Sequence, residues 1–161
     1  AHSFVIIGGG PAGNQAATYA ARLGAQVTMI EREIVGGAAH LLDCIPSKTM
    51  IATGGAISFG QRIGGMGLAD ASTTVDEDAL VRRVGNIRDH MQHDTTELLE
   101  SQGVRIIRGT ARFTSPHSVE VDTAEGVQQI DFDSALIATG TRPRIPEWCN
   151  PDHERILTTR D

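Results

Sequence analysis

The chain has 161 residues, the length of one ordinary domain and enough to enclose a hydrophobic core. Its 14 basic and 20 acidic side chains leave a net charge of −6 and no Lys/Arg block to track phosphates, which argues against nucleic acid as a partner. No apolar run approaches the ~18 residues of a spanning helix, and the apolar start lacks the basic flank and small-residue cleavage site of a signal peptide, so no membrane insertion is expected.

The first predicted element is a buried strand, Phe4-Val5-Ile6-Ile7, running into Gly8-Gly9-Gly10-Pro11-Ala12-Gly13. Gly8 allows a tight turn, and Gly10, lacking Cβ, lets the backbone approach a pyrophosphate. Gly13, with Ala12, Ala16, Ala17, Ala20 and Ala21, lets the following helix pack closely on the strand. Pro11 suits the first turn of that helix and Gly24 its end. Residues 25–30 read as a second strand, and Glu31 beyond it lies near the ~20-residue spacing at which a carboxylate meets a ribose diol. A β-α-β unit of this kind grips a dinucleotide, with the diphosphate on the unpaired N–H groups of the helix N-terminus.

Gly36-Gly37 then leads a loop into a helix predicted over 44–59, with Asp43 as its candidate cap. Gly54, Gly55, Gly60, Gly64, Gly65 and Gly67 predict a loose connection after it. A long helix is predicted over 75–102, where Leu80, Val84, Ile87, Met91, Leu98 and Leu99 recur mainly at helical spacing and Gly103 supplies the stop. From 104 onward the pattern changes to strands at 104–108, 118–121 and 128–132, with 124–126 as the turn between the last two. These form a three-stranded antiparallel insert whose body lies at about 115–133. Residues 135–140 make an apolar run ending in glycine, which predicts a buried central strand delivering its C-terminal end to a ligand. The tail beyond Pro143 is polar and contains prolines.

Cys44 and Cys149 lie far apart in sequence, which argues against a disulfide scaffold and for a reducing, cytoplasmic setting. Taken alone, Cys44 reads as a buried structural thiol, and Cys149, in the polar tail, as incidental. His90 and His93, three apart on a helix, lack an evident third ligand and read as a solvated face, so no metal site is expected. The first residue is not methionine, and the start is read as lacking a residue or two.

Taken together, the glycine fingerprint, Glu31, the Gly36-Gly37 loop with Cys44-Ile45-Pro46-Ser47-Lys48, Arg108-Gly109-Thr110-Ala111 and Ala138-Thr139-Gly140 resemble the FAD domain of the class I pyridine-nucleotide-disulfide oxidoreductases, the family of dihydrolipoyl dehydrogenase and glutathione reductase. The resemblance covers essentially the whole chain. It implies an α/β, Rossmann-like FAD-binding domain over 1–161, with a parallel sheet and the antiparallel insert. By the resemblance, Gly8, Gly10, Gly13 and Glu31 hold the FAD pyrophosphate and adenosine ribose, and Gly109, Thr110 and Ala111 approach the adenine. Ala138, Thr139 and Gly140 line the flavin side, while Pro11, Ala12, Arg32, Gly37 and Ala38 complete the cofactor-binding set. Cys44 and Lys48 are placed against the flavin ring as the catalytic candidates, Lys48 as a cation that tunes the cofactor. His40, beside this loop, is weighed as a proton relay and set aside.

Two departures qualify what the resemblance implies. Family disulfide reductases carry a Cys-x-x-x-x-Cys pair, and here the first position is Ala39, leaving only Cys44. One thiol cannot hold a redox-active disulfide. The form Gly36-Gly37-Ala38-Ala39 with Asp43-Cys44 is similar to a subgroup that passes electrons from NAD(P)H through FAD to quinones or dyes. The family also continues with nicotinamide-binding and dimerisation domains, so the chain is expected to be an inactive fragment of a longer, homodimeric NAD(P)H:acceptor oxidoreductase with a small-molecule acceptor. Three readings stay open beside it: a dihydrolipoyl dehydrogenase-like enzyme, a pyridine-nucleotide transhydrogenase, and a non-catalytic FAD-binding module. A plain NAD-binding domain has no need of Lys48, Gly109 or Thr139.

Overall fold

Consecutive residues of a strand point to opposite faces, and in Ser3–Ile7 (β1) both Val5 and Ile6 are buried, so this strand must lie between two packed layers. Met29 and Ile30 repeat the pattern in Gln26–Glu31 (β2). The computed structural model describes residues 1–68 and 74–161 and shows those two layers. Arg105–Arg108 (β3) and Ser134–Ile137 (β7) join β1 and β2 in a parallel sheet of order β3-β2-β1-β7.

On one side, Ile6, Val27 and Met29 pack with Ala17 of the helix Pro11–Arg22 (α1) and Leu99 of the helix Glu77–Ser101 (α3). On the other, Val5, Ile30 and Ile107 pack with Val119, Val121 and Phe132. Val119 and Val121 belong to an antiparallel sheet of Thr110–Ser115 (β4), Ser118–Thr123 (β5) and Gly126–Asp131 (β6). Each fully buried Ile contributes ~1.5–3 kcal/mol, so neither covering layer is dispensable to the sheet.

Several sequence expectations are corrected here. Residues 104–108 do not belong to the antiparallel insert, because β3 pairs in parallel with β2. The insert runs from Thr110 to Asp131, and its first strand, β4, alternates too weakly to be read, with Arg112, Phe113 and Ser115 all exposed. Among the described residues the strand at 135–140 is not a buried central one. β7 lies at the edge of the parallel sheet and Ile137 is 66% exposed. The helix predicted from Cys44 is preceded by a π-helix, Ala39–Cys44, and continues as Ile45–Arg62 (α2), so Gly54, Gly55 and Gly60 are helical and not a loose connection. Asp43 does not cap it: α2 has no side-chain cap. Only one of the adjacent pair Leu98 and Leu99 can face the core, and Leu98 is exposed.

The tail is held by its own side chains. Asp152 Oδ1 accepts the N–H groups of Glu154, Arg155 and Ile156 at 3.0, 2.8 and 2.8 Å. These donors, Ile156 foremost, lower its pKa from 3.8 to about 2. A depressed carboxylate stabilises its turn fully above the ordinary value and loses that contribution as pH falls through the folded value. The Asp152 carboxyl is therefore expected to titrate near pH 2 by carbon NMR, with the 154–156 amide shifts following it. A midpoint at the ordinary 3.8 would contradict the turn.

Candidate functional site

The register of the parallel sheet brings the carboxyl ends of its strands to one edge: Ile7 lies opposite both Ile30 and Ile137, and Glu31 opposite Arg108. Ligands of open α/β sheets sit at such an edge. Backbone hydrogen bonds draw the loops there together, Gly8 N–H to Ile30 O at 2.9 Å, Ala138 N–H to Ile7 O at 2.8 Å and Gly109 N–H to Glu31 O at 3.1 Å.

The glycine positions are fixed by space as well as by turn geometry. Gly8 adopts φ +109°, and a Cβ on it would strike the Ala138 carbonyl oxygen. A Cβ on Gly13 would strike the carbonyl oxygen of Gly8, so α1 can approach β1 this closely only without one. Gly37, buried, lies against the Cα of Gly10 and the ring of Pro11, while Gly36 N–H donates to Gly9 O at 2.8 Å. Two glycine-lined segments, 8–13 and 36–37, therefore meet at the start of α1.

That start is open to an anion. The residue at the cap is Gly10, no side chain caps the helix, and its first turn holds no acid. The N–H groups of Ala12 and Gly13 have no intrahelical partner and lie at the positive end of the helix dipole. This donor set fits a diphosphate. Glu31 stands beside it at the end of β2, its Oε2 accepting Gly9 N–H at 2.6 Å and its Oε1 accepting Glu33 N–H at 2.7 Å. Each carboxylate oxygen keeps a free lone pair for a hydroxyl donor, as a ribose diol requires.

The remaining expected site residues are distributed around this cradle. Gly109 connects β3 to β4 and is pressed against the Asp122 carbonyl, Thr110 is exposed, and Ala111 packs into the second core cluster. Ala138 lies against Gly8, whereas Thr139 and Gly140 continue outward, exposed. Arg32 is half-exposed and turns to Glu33, with Nε 3.5 Å from Oε1. Ala38 opens the π-helix.

Cys44 closes the π-helix and Lys48 lies in the first turn of α2, four residues on and so on the same side. Both are exposed, and the buried-thiol reading of Cys44 does not hold. Ala39 starts the same π-helix, whose i→i+5 pattern is marked by the Ile45 N–H bond to His40 O. The structure thus gathers the glycines, Glu31, Gly109 and Ala138 by direct contact, and sets Cys44 and Lys48 together on a neighbouring helix. Sequence reasoning passed over Gly9, whose N–H and carbonyl oxygen both serve the cradle, although it stands in the same glycine triplet. Among the described residues no group of three or more His, Cys, Asp or Glu could hold a metal ion, and His90 and His93 pair instead with Asp94 and Glu97. Among them, too, no helix is long and apolar enough to cross a membrane.

A parallel sheet with a glycine cradle and a carboxylate at its carboxyl edge is the architecture of a Rossmann-like α/β domain. Comparison with known proteins carries the assignment further. The chain belongs to the pyridine nucleotide-disulphide oxidoreductase family, whose profile matches residues 2–159. It is 38% identical over 170 residues to an NAD(P)H dehydrogenase (quinone) of Mycobacterium tuberculosis, covering 97% of this chain and 34% of that protein. It is 31% identical over 160 residues to dihydrolipoyl dehydrogenase 2 of Haloarcula marismortui, covering 98% of this chain and 34% of that one. Among solved structures, LpdA of Mycobacterium tuberculosis superposes with a TM-score of 0.87 at 36% identity, over 99% of this chain and 36% of its own. The flavoprotein disulfide reductase RclA of Escherichia coli gives 0.72 at 26% identity, over 91% and 30%. The chain spans about a third of the length of the curated relatives it matches.

Proposed function

We propose that residues 1–161 form the FAD-binding domain of an NAD(P)H:acceptor oxidoreductase that delivers electrons to a quinone-like acceptor without a redox disulfide. The observation that carries this reading is the π-helix with Cys44 at one end and Ala39, which has no sulfur, at the other. A relative named NAD(P)H dehydrogenase (quinone) supports it.

FAD, when bound, supplies the redox chemistry, taking a hydride from the nicotinamide and giving up electrons to the acceptor. The protein groups do the rest. The Ala12 and Gly13 N–H groups bind the diphosphate, and Glu31 accepts the ribose hydroxyls. Gly109, Thr110 and Ala111 flank the adenine, while Ala138, Thr139 and Gly140 border the flavin. Lys48 contributes a fixed positive charge beside the flavin ring, which favours the more negative, reduced form. Cys44 contacts the ring without a partner thiol. The whole protein is proposed to be a homodimer.

The test uses the full-length protein under anaerobic conditions. The expected result is a flavin absorption band that bleaches with NADH or NADPH and returns with a quinone at least about tenfold faster than with lipoamide, a difference of ~1.4 kcal/mol in barrier. A protein without flavin overturns the cofactor assignment. Relatives named dihydrolipoyl dehydrogenase favour a second reading, a lipoamide-reducing enzyme. Lipoamide reduction as fast as quinone reduction would establish that reading instead.

A further inference from the structure

A π-helix is rare and poorly favoured, so a six-residue one needs something outside itself to hold it. The N-terminus of Ala39–Cys44 has no side-chain cap, and at its C-terminus Ser47 Oγ donates to the carbonyl oxygens of Asp43 and Cys44 at 2.8 and 3.1 Å. Two side chains anchor it to the rest of the molecule. Leu41 is buried against Gly36. Asp43 is gripped by Arg160, 117 residues away in sequence.

The grip is two-pronged. Arg160 Nη2 donates to Asp43 Oδ2 at 3.0 Å, and Nε sits 2.9 Å from Oδ1 as a charge contact whose N–H is not aimed at the oxygen. Both side chains are only 24% exposed, so the contact is better shielded than an ordinary surface pair. Arg160 is itself held for the purpose. Thr158 N–H donates to Asp161 Oδ2 at 2.6 Å, and Arg160 N–H donates to Thr158 Oγ1 at 3.1 Å, a closed turn with one long side chain leaving it. The Asp152 turn precedes it.

We infer that Arg160 is a positioning residue, a clasp that holds Asp43 and through it the π-helix, and so fixes where Cys44 and the following turn with Lys48 stand. Among the described residues, the hydrogen bond of the Arg160 side chain goes to Asp43. Arg160 acts through Asp43 alone. Its relevance to the reacting centre rests on the proposed flavin-side position of Cys44, but the clasp itself is a property of this fold.

The experiment is hydrogen–deuterium exchange on the full-length protein, comparing peptides across 38–46 with peptides from β5 and β6. In Arg160→Gln the 38–46 amides are expected to exchange about fivefold faster, the scale of a partly shielded ion pair, with β5 and β6 unchanged. Arg160→Lys keeps the charge but lacks the planar fork, and recovers part of the protection. Asp43→Asn reproduces the effect, and the double variant Asp43→Asn/Arg160→Gln adds nothing further, since both remove one contact. Exchange of 38–46 indistinguishable from the parent in Arg160→Gln, or additive effects in the double variant, overturns the inference. Absence of flavin from the unmutated protein would remove the proposed function while leaving the exchange comparison intact.

Discussion

Gly8→Ala is expected to destabilise the fold by about 3 kcal/mol or more, the sum of strain at a left-handed position and overpacking in a closed space. The residue sits at φ +109°, and the added methyl would be driven into the Ala138 carbonyl oxygen. That carbonyl belongs to the chain leaving β7, whose Ala138 N–H is bonded to Ile7, so relief of the clash must pull β7 from β1 or open the glycine turn. Gly24 provides the control. It also has a positive φ, +84°, but a Cβ there meets nothing within 4 Å, so Gly24→Ala should lose only about 1 kcal/mol. Denaturant midpoints at unchanged m-value measure both. Equal losses in the two variants would mean that the contact with Ala138 is not what excludes a side chain.

The second large effect is chemical. Residues 39 and 44 stand at the two ends of one π-helix, whose i→i+5 pattern brings positions five apart close together, and both are exposed. Ala39→Cys is therefore expected to form a disulfide with Cys44 under mild oxidation, seen as loss of two hydrogens by mass and of both alkylatable thiols at that site. In the full-length protein the change should raise NADH-dependent lipoamide reduction at least about tenfold over the parent, because electrons leaving the flavin then meet a disulfide. Two thiols that stay free under oxidising conditions would show that the π-helix does not present a disulfide geometry. A disulfide that forms without any gain in lipoamide reduction would locate the deficit elsewhere in the protein.

The part of this molecule that could be read from sequence is the part held by local rules. The run Phe4 to Gly13 announces itself because a strand, a glycine turn and a proline-started helix each leave a short-range signature, and Glu31 follows at a fixed spacing. The failures are non-local. Ile106 and Ile107 mark β3 as a strand but not which sheet it joins, since pairing with Thr28 to Glu31 is decided by layers that the window does not contain. β4 leaves a weak signal because a strand with one face in solvent needs only modest apolar content: Ala111 packs into the core and Phe113 meets Phe132 edge-on while half-exposed. Asp43 has the composition and position of a helix cap, and only the folded chain reveals that Arg160 has taken it. The π-helix leaves no periodic trace over six residues.

The pairing of β7 with β1 has a consequence for how this chain is made. Phe4 is matched with Ser134 and Ile7 with Ile137, so the second strand to flank β1 is synthesised some 130 positions after it, whereas β2 follows within one helix. At ribosomal speeds of roughly 5–20 residues per second, β1 waits on the order of 6–26 s with one side unpaired. During that interval the nascent chain carries a bare parallel edge of Phe, Val and Ile beside a finished β-α-β unit, the kind of surface that holdase chaperones cover and that associates wrongly between neighbouring nascent chains. Pairing of β7 with β1 is then a late, long-loop event that follows the emergence of β3 and the antiparallel layer, so this contact is among the slower ones to form.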